Sequence, residues 1–487
     1  MKRTLLFLAI IGTITLNVER SEAQVKVLTF QDAVKIASQN SVLLNQQKNN
    51  LELSQFQKVQ SIAGIGPNVN LNGSASQYNG NSFNQNTGTV VNGIRDNVSG
   101  SISANINLFS GFNRINQVRQ FHNALDAQSY FVKRTAQDVI NTVATQYLNV
   151  MLDVELLKIA KENHIALEKQ LQQVKEQVAL GARSPVDEYN QDALTKAAEL
   201  RMVQAEINLN NDKTLLTQTL LIDPMELYDV EKPNWDLNQL GYDTLDIERL
   251  AEEAKINRGD YLRAVKSEAA ARYGTAAARG YLAPSLIAFG SYGSSYNYQH
   301  GVSDSVTNTY YSPVVIANPA TPSGYSIAEI SENRREANQQ RPRSFDEQFR
   351  TNNAYKQYGL QLTIPLFNGL QNRANVKQQK VLYENAQLTR KNLEYQIKND
   401  VIRTVRNYDG SRKAYLISVD QEKAAALALE LETERYNLGV TSFVEFTNAN
   451  RVYVQALTDK AQAEYKLVFQ RIAIEYAIGT LKPEDLE

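Results

Sequence analysis

The 487-residue sequence contains no cysteine, one tryptophan, three histidines and four methionines. Without cysteine there is no disulfide scaffold, no thiolate metal site and no lipid on an N-terminal cysteine. The histidines, His122, His164 and His300, share no metal-ligand spacing, and His164 falls on an apolar seam where packing is the simpler role. Charge of either sign in excess is also missing: 51 Lys and Arg face 52 Asp and Glu. That balance argues against a nucleic-acid partner, whose phosphates demand clustered Lys and Arg. No phosphate-binding loop, dinucleotide fingerprint or nucleophile elbow occurs, so no enzyme, cofactor or metal is expected. The one long apolar run, Leu5 to Leu16, stands behind Lys2 and Arg3 and ahead of Ser21 and Ala23. It is shorter than the roughly 20 residues a membrane helix needs. A secretory signal over residues 1–23 is the expected reading, with a short membrane anchor as the alternative.

What the sequence does have is a repeat. NLFSGFNRINQVRQ from Asn107 recurs as PLFNGLQNRANVKQQ from Pro365, 258 positions on, and at that offset ALGARSPVDEYNQDA from Ala179 recurs as NLGVTSFVEFTNANR from Asn437. Upstream, LTFQDAVKIASQN from Leu28 matches LDIERLAEEAKIN from Leu245, and Pro67 matches Pro284, both at an offset of 217. The second copy therefore carries about 41 additional residues between Pro284 and Gly369. They fall near 300–344, rich in Ser, Asn, Pro and Tyr and without a period, and are expected as a long surface loop. The resulting division is a signal at 1–23, a first repeat at 24–222, a linker at 223–244 in the equatorial region, a second repeat at 245–480 and a tail at 481–487.

Each repeat parses alike. A helix opens at Thr29 or Asp246 behind a leucine at the staple position, with Thr29 and Asp32 spaced as a capping box. It runs to the glycine and proline near Gly64–Pro67 or Gly280–Pro284. A hairpin follows, with strands near 68–78 and 97–109, or 285–298 and 356–367. A very long helix covers about 112–179 or 370–437, breaks at Gly181 or Gly439, and is followed by a last helix to about 221 or 478. The first long helix carries the seam Val139, Val143, Tyr147, Val150, Val154, Leu157, Ala160, His164, Leu167, Leu171, Val174, Val178, at the coiled-coil spacing near 3.5.

The strands alternate in an unusual way. Val69, Leu71, Gly73 and Ala75 interleave with Asn68, Asn70, Asn72 and Ser74, and Ile102, Ala104 and Ile106 with Ser101, Ser103 and Asn105. Tyr358, Leu360, Leu362 and Ile364 likewise interleave with Gln357, Gly359, Gln361 and Thr363. One apolar face and one uncharged polar face is the signature of a transmembrane barrel strand; a half-buried soluble sheet is the other reading, though its wet face would carry Lys and Glu. Four strands cannot close, and open edges are not tolerated in lipid. Two chains would give eight strands and a filled interior, three chains twelve and a lumen.

The tandem plan, the two LF-Ser/Asn-Gly junctions and the two Leu-Gly turns before an acidic helix start resemble the TolC family of outer-membrane efflux proteins over nearly the whole mature chain. The resemblance implies an α+β membrane protein: long antiparallel helical hairpins forming an α-barrel tunnel, and four strands per chain in a twelve-stranded transmembrane β-barrel built by a homotrimer. It further implies residence in outer-membrane lipid of a Gram-negative bacterium with the tunnel in the periplasm, and the insert facing outward. Cargo would arrive from an inner-membrane efflux pump or ABC exporter through a periplasmic adaptor. A barrel-anchored trimeric coiled-coil stalk or adhesin is the competing class, but a stalk needs no paired turns closing one end.

The turns hold the candidate site. Ser184 with Asp187, and Ser442 with Glu445, have capping-box spacing, and Pro185 takes a first helical position. Threefold repetition would place three Asp187 and three Glu445 around the tunnel mouth; by resemblance, Glu445 forms an acidic constriction with Asn448 next along it, Asp187 and Tyr436 are counted with that constriction, and Leu180, Gly181, Arg183, Leu438, Gly439 and Thr441 form the adaptor-contact turns. Tyr436 matches the family's latch tyrosine, with packing between helix ends as an equal alternative. The basic residue often found two after the second glycine is Thr441 here, and the base stands in the first copy as Arg183, so the latch is expected to be held differently. Three converging Glu445 would make the pore cation-selective, with a conductance sensitive to pH and divalent ions.

Overall fold

Helix-forming runs without proline account for most of the chain. The computed structural model describes residues 26–84, 89–225, 228–231, 245–300, 305–337 and 344–482. The expected signal, most of the linker and the last five residues lie outside them. The chain divides into two compact units: 1–56 with 121–271 and 382–487, and 57–120 with 272–381.

The first unit is built on two helical hairpins. Helices α3 (Asn113–Ala179) and α7 (Gln371–Asn437) have 67 residues each, about 100 Å of helix. Their returns α4 (Pro185–Leu220) and α8 (Phe443–Ile478) have 36 each. The seam on α3 is buried at Val143, Tyr147, Val150, Leu157, Leu167, Leu171 and Val174, whereas Val154 turns outward. Tyr147 anchors the core: its ring meets Phe30 edge-on at 5.5 Å. Its hydroxyl lies 2.9 Å from the Leu28 carbonyl and 2.7 Å from that of Glu231. Those two carbonyls flank a short parallel pair, β1 (Lys26–Leu28) with β4 (Tyr228–Val230).

The opening helix of each repeat is not continuous as the sequence pattern implies. α1 (Phe30–Asn40) breaks at Ser41 before α2 (Val42–Ala63), and α5 (Ile247–Asn257) breaks at Arg258 before α6 (Gly259–Gly280). The first break is locally encoded, since the Ser41 hydroxyl accepts from the Leu44 N–H at 3.3 Å and recaps the helix. Both breaks receive the end of a returning helix. The Asn40 amide donates to the Leu220 carbonyl at 3.0 Å. Arg258, almost fully buried, donates to the Ala477 carbonyl at 3.3 Å and pairs with Asp260 at 2.6 Å and Asp400 at 3.3 Å. Gly479 ends α8 with φ of 78°, and a Cβ there would lie 2.8 Å from the Arg258 backbone. Neither the turn nor the close approach admits a side chain.

The second unit contains an antiparallel sheet in the order β2 (Asn68–Asn84), β3 (Thr89–Ser110), β5 (Ser285–Gln299), β8 (Tyr355–Thr363). The register stacks Val69 on Ala104 and Leu71 on Ile102, then Ile102 on Tyr292, and Leu360 and Leu362 on Ala288 and Leu286. One face is thus apolar and bare: Leu71 is 82% exposed and Leu360 67%. The other face sets Asn and Ser against Asn and Ser, as at Ser74–Ser99, 2.8 Å apart. β3 bulges between Asn107 and Phe109, then turns through Gly111 and Phe112, both at φ near 60°. Gly369 and Leu370 repeat that left-handed pair at 62° and 65°, so the two LF-Ser/Asn-Gly junctions share one geometry. Among the described residues no strand lies beyond β2 or β8.

The insert is not the irregular loop expected from its sequence. β6 (Ser305–Ala317) and β7 (Tyr325–Ala337) form a separate two-stranded antiparallel ribbon. Alternation fails there because both faces are apolar: Val314 and Ile316 point one way and Val315 the other.

One charge pair in the helical unit fixes a pH response. Burial, then the neighbouring Asp212, pushes the Asp153 carboxyl up to about 6. Its folded value lies above the unfolded one, so the folded state holds the extra proton and stability falls as pH rises from about 4 to 6. Asp153→Asn is therefore expected to raise thermal stability above pH 6, by about 1 kcal/mol after solvent screening, and to change nothing at pH 4. Melting curves at both pH values check it.

Candidate functional site

The two hairpin turns follow one recipe. Gly181, at φ 75°, closes α3 with its N–H on the Val178 carbonyl (2.9 Å) and the Ala182 N–H on that of Gln177 (2.8 Å). Gly439, at φ 73°, closes α7 through Tyr436 (3.0 Å), with the Val440 N–H on Arg435 (2.9 Å). A left-handed residue is required at this type of helix end, which is why glycine recurs in both copies. Leu180 and Leu438 are left 84% and 78% exposed at the tips.

The helices that follow are capped differently. In the second turn the capping box is complete: the Ser442 hydroxyl accepts from the Glu445 N–H, and the Glu445 carboxylate accepts from the Ser442 N–H at 2.9 Å. The Thr441 hydroxyl donates to the same carboxylate oxygen at 2.5 Å, and that of Ser442 lies 3.1 Å away. These bonds, that of Thr441 foremost, hold the Glu445 carboxyl at about 2. In the first turn the expected box does not form. Ser184 caps at the Val186 N–H, 3.2 Å away, and the Asp187 N–H bonds the Ser184 carbonyl instead. Aspartate is one methylene shorter than glutamate and reaches back less well. Asn448 accepts from Arg451 at 2.9 Å.

Between the turns lies the contact that the sequence left open. Tyr436 is buried and stacks on Phe446 with ring centres 4.9 Å apart. Arg183 crosses from the other turn: its guanidinium sits 4.0 Å from the Tyr436 ring centre and donates to the Tyr436 carbonyl at 2.7 Å. Burial pushes the Tyr436 phenol up, with Arg183 and Asp187 acting on it in opposite directions. The base absent at Thr441 is thus supplied by the matching position of the first copy. Gln170 to Asn437 (3.1 Å) and Asn450 to Asn163 (3.3 Å) add further stitches between the hairpins. Arg183, Asp187 and Tyr436 form one cluster and Thr441 with Glu445 another. Phe446 and Phe443 were not singled out from sequence; their spacing of three on one helix face was the available signal.

Among the described residues no group of three or more His, Asp or Glu could hold a metal ion, and no helix is long and apolar enough to cross a membrane. The latter says nothing of a β-barrel. The family described as outer membrane efflux protein matches residues 33–220 and 326–480, a segment in each repeat. The chain belongs to the outer membrane efflux protein family. Within this family it is similar to the outer membrane protein TolC of Vibrio cholerae, 23% identical over 359 residues that cover 72% of this chain and 70% of the relative. Two solved folds are similar at low identity. The outer membrane protein VceC of Vibrio cholerae has a TM-score of 0.73 and 14% identity over 92% of this chain and 96% of its own. The outer membrane channel CmeC of Campylobacter jejuni has a TM-score of 0.74 and 15% identity over 94% and 88%. In this efflux-family chain the two turns are therefore the ends of paired helical hairpins on a fold shared with channels.

Arg183→Ala removes a half-buried stacked cation and a charge-assisted hydrogen bond, and is expected to cost about 1–3 kcal/mol. Arg183→Lys should recover only part, because an ammonium lacks the planar fork. Denaturant unfolding of the three proteins side by side measures the difference.

Proposed function

We propose that this efflux-family chain is one third of a passive outer-membrane export conduit. The observation that carries the reading is the four-stranded sheet with a bare apolar face, a serine and asparagine face, and two edges without partners among the described residues. Lipid tolerates no open edge, and three copies give twelve strands and a lumen, the smallest closed arrangement with a passage. The mature chain, after loss of residues 1–23, would project the helices of its two repeats, 24–222 and 245–480, into the periplasm of a Gram-negative bacterium, with 223–244 as an equatorial linker.

In this reading the hairpin turns are the periplasmic mouth. Three Glu445 converge on the axis and Asn448 follows them, while Asp187 stays with the Arg183–Tyr436 cluster off it. Arg183 on Tyr436 ties the first hairpin to the second and acts as the resting latch. The exposed tips, Leu180 with Gly181 and Leu438 with Gly439, flanked by Arg183 and Thr441, receive a periplasmic adaptor. An inner-membrane pump or ABC exporter then supplies cargo, small molecules or proteins, and the energy.

The experiment is planar-bilayer recording. Glu445→Gln keeps an acceptor for the Ser442 N–H and removes the charge, so it is expected to lower cation selectivity several-fold with little loss of stability. Asp187→Asn should change it less. The cap holds the Glu445 carboxyl at about 2, so its charge is fully present at neutral pH and is lost only as pH falls toward that value. The pH response is therefore displaced into acid, where mutual repulsion among three carboxylates raises it again. Unchanged selectivity in Glu445→Gln would leave Glu445 as a helix cap alone.

A further inference from the structure

The two repeat offsets reproduce the sheet register inside the chain. β2 pairs with β3 at Asn68 and Asn105, and β5 with β8 at Ser285 and Thr363. Moving 217 positions on from Asn68 gives Ser285, and 258 on from Asn105 gives Thr363, so the second pairing is the first carried over residue for residue. Between them β3 pairs with β5, Ser103 on Ser291 and Ala104 on Gly290. This middle pairing joins the close of one repeat to the opening of the other, and among the described residues it has no second instance.

The corners where helix meets strand show the same gap. The β3–α3 and α6–β5 corners are locked together: a Cβ on Gly111 would lie 2.5 Å from the Gly280 carbonyl oxygen, and one on Gly280 would lie 2.8 Å from the Asn113 Cβ. Buried Asn113 donates to the Ala277 carbonyl at 2.7 Å. The counterpart corners keep these shapes. The Ile65 and Gly66 N–H groups bond the Ile62 and Ala63 carbonyls as those of Leu282 and Ala283 bond Arg279 and Gly280, and Gly369 repeats the φ of Gly111. Yet nothing stands within 4 Å of a Cβ on Gly369, and Gln371, the counterpart of Asn113, is exposed. These two corners adjoin β2 and β8, at opposite edges of the sheet, so one chain cannot bring them together.

We propose that a second copy completes both contacts, its β2 pairing antiparallel with β8 in the register of β5 on β3, and its α2–β2 corner seating on the β8–α7 corner. This rests on the conduit reading, which requires the edges to close, and adds where they close. The two offsets turn Ser103 on Ser291 into Gln361 on the next copy's Ser74. They also set Leu360 and Leu362 against the next copy's Ala75 and Gly73, and Thr363 against its Asn72. Nothing in the offsets obliges those faces to agree, since a slip of one residue would set apolar against polar along the whole edge. The contact is head-to-tail, each copy giving β8 to one neighbour and β2 to the other, which is the kind that repeats around a ring.

The absence of cysteine makes introduced thiols unambiguous, and Gln361 and Ser74 are both exposed. Within one chain they stand three strand spacings apart, about 14 Å, too far for a disulfide. The full-length protein carrying Gln361→Cys and Ser74→Cys, assembled in membranes, is oxidised with copper phenanthroline. Most of it is expected to run as covalent dimers and trimers on a non-reducing gel, and neither single variant to do so. Moving the second thiol two places, to Asn72→Cys or Ser76→Cys, sets it roughly 7–8 Å off and should cut the yield several-fold. A yield as high from either displaced pair overturns the register. No covalent product from any pair overturns the contact itself, and the mass of the protein in detergent then separates the causes: three chains defeats this pairing alone, and a single chain defeats the conduit reading with it.

Discussion

Four strands with a bare apolar face and two edges unpartnered among the described residues are the constraint on which the rest of this protein depends. A main-chain N–H or C=O without a partner costs several kcal/mol in hydrocarbon, and the edges of β2 and β8 present whole rows of them. Side-chain chemistry alone could satisfy such an edge in water, and part of one is treated that way. Beyond Gly293, where β8 stops pairing with β5, the Gln348 amide donates to the Asn297 carbonyl and accepts from its N–H, and Asn353 donates to Ser295. The outer edges of β2 and β8 have no such cover among the described residues, and in the proposed conduit further copies of the chain provide it.

The helical unit shows what duplication allows. Two copies of one plan give two helix ends of the same glycine-closed shape, yet the residues around them have diverged in complementary ways. Arg183 and Thr441 occupy matching positions, as do Asp187 and Glu445. In each pair one member turns toward the neighbouring hairpin while the other completes its own cap. The aromatic cluster of Tyr436, Phe443 and Phe446 with Leu167 and Ala198 gives the arginine an apolar floor, where a cation over a ring is worth more than at an open surface. A contact made by one planar cation on one ring can be released without unfolding either hairpin.

Much of this was legible before any coordinates. The repeat offsets located both turns, both strand junctions and the four sheet strands, because periods of two and 3.5 and paired glycines are local signals. Two failures share a cause. The breaks at Ser41 and Arg258 interrupt helices whose periodicity continues across them, and what fixes the second is Arg258 bonding a helix end more than two hundred residues away in sequence. The ribbon escapes the sequence pattern because Val314–Ile316 is apolar at successive positions, which erases the alternation that marks a one-sided strand. The partner of Tyr436 was visible only as an anomaly: a base missing at Thr441 and present at Arg183, with nothing local to say that the two turns touch.

The central claim is that the edges of β2 and β8 are paired between copies, and amide hydrogen exchange on the assembled protein in lipid reads those edges directly. The account predicts that the outward amides of Tyr355–Thr363, and those of β2 opposite them, are protected as strongly as the amides of β3. Fast exchange at these outward positions, with β3 and β5 protected, would mean that the sheet stands open and would contradict it.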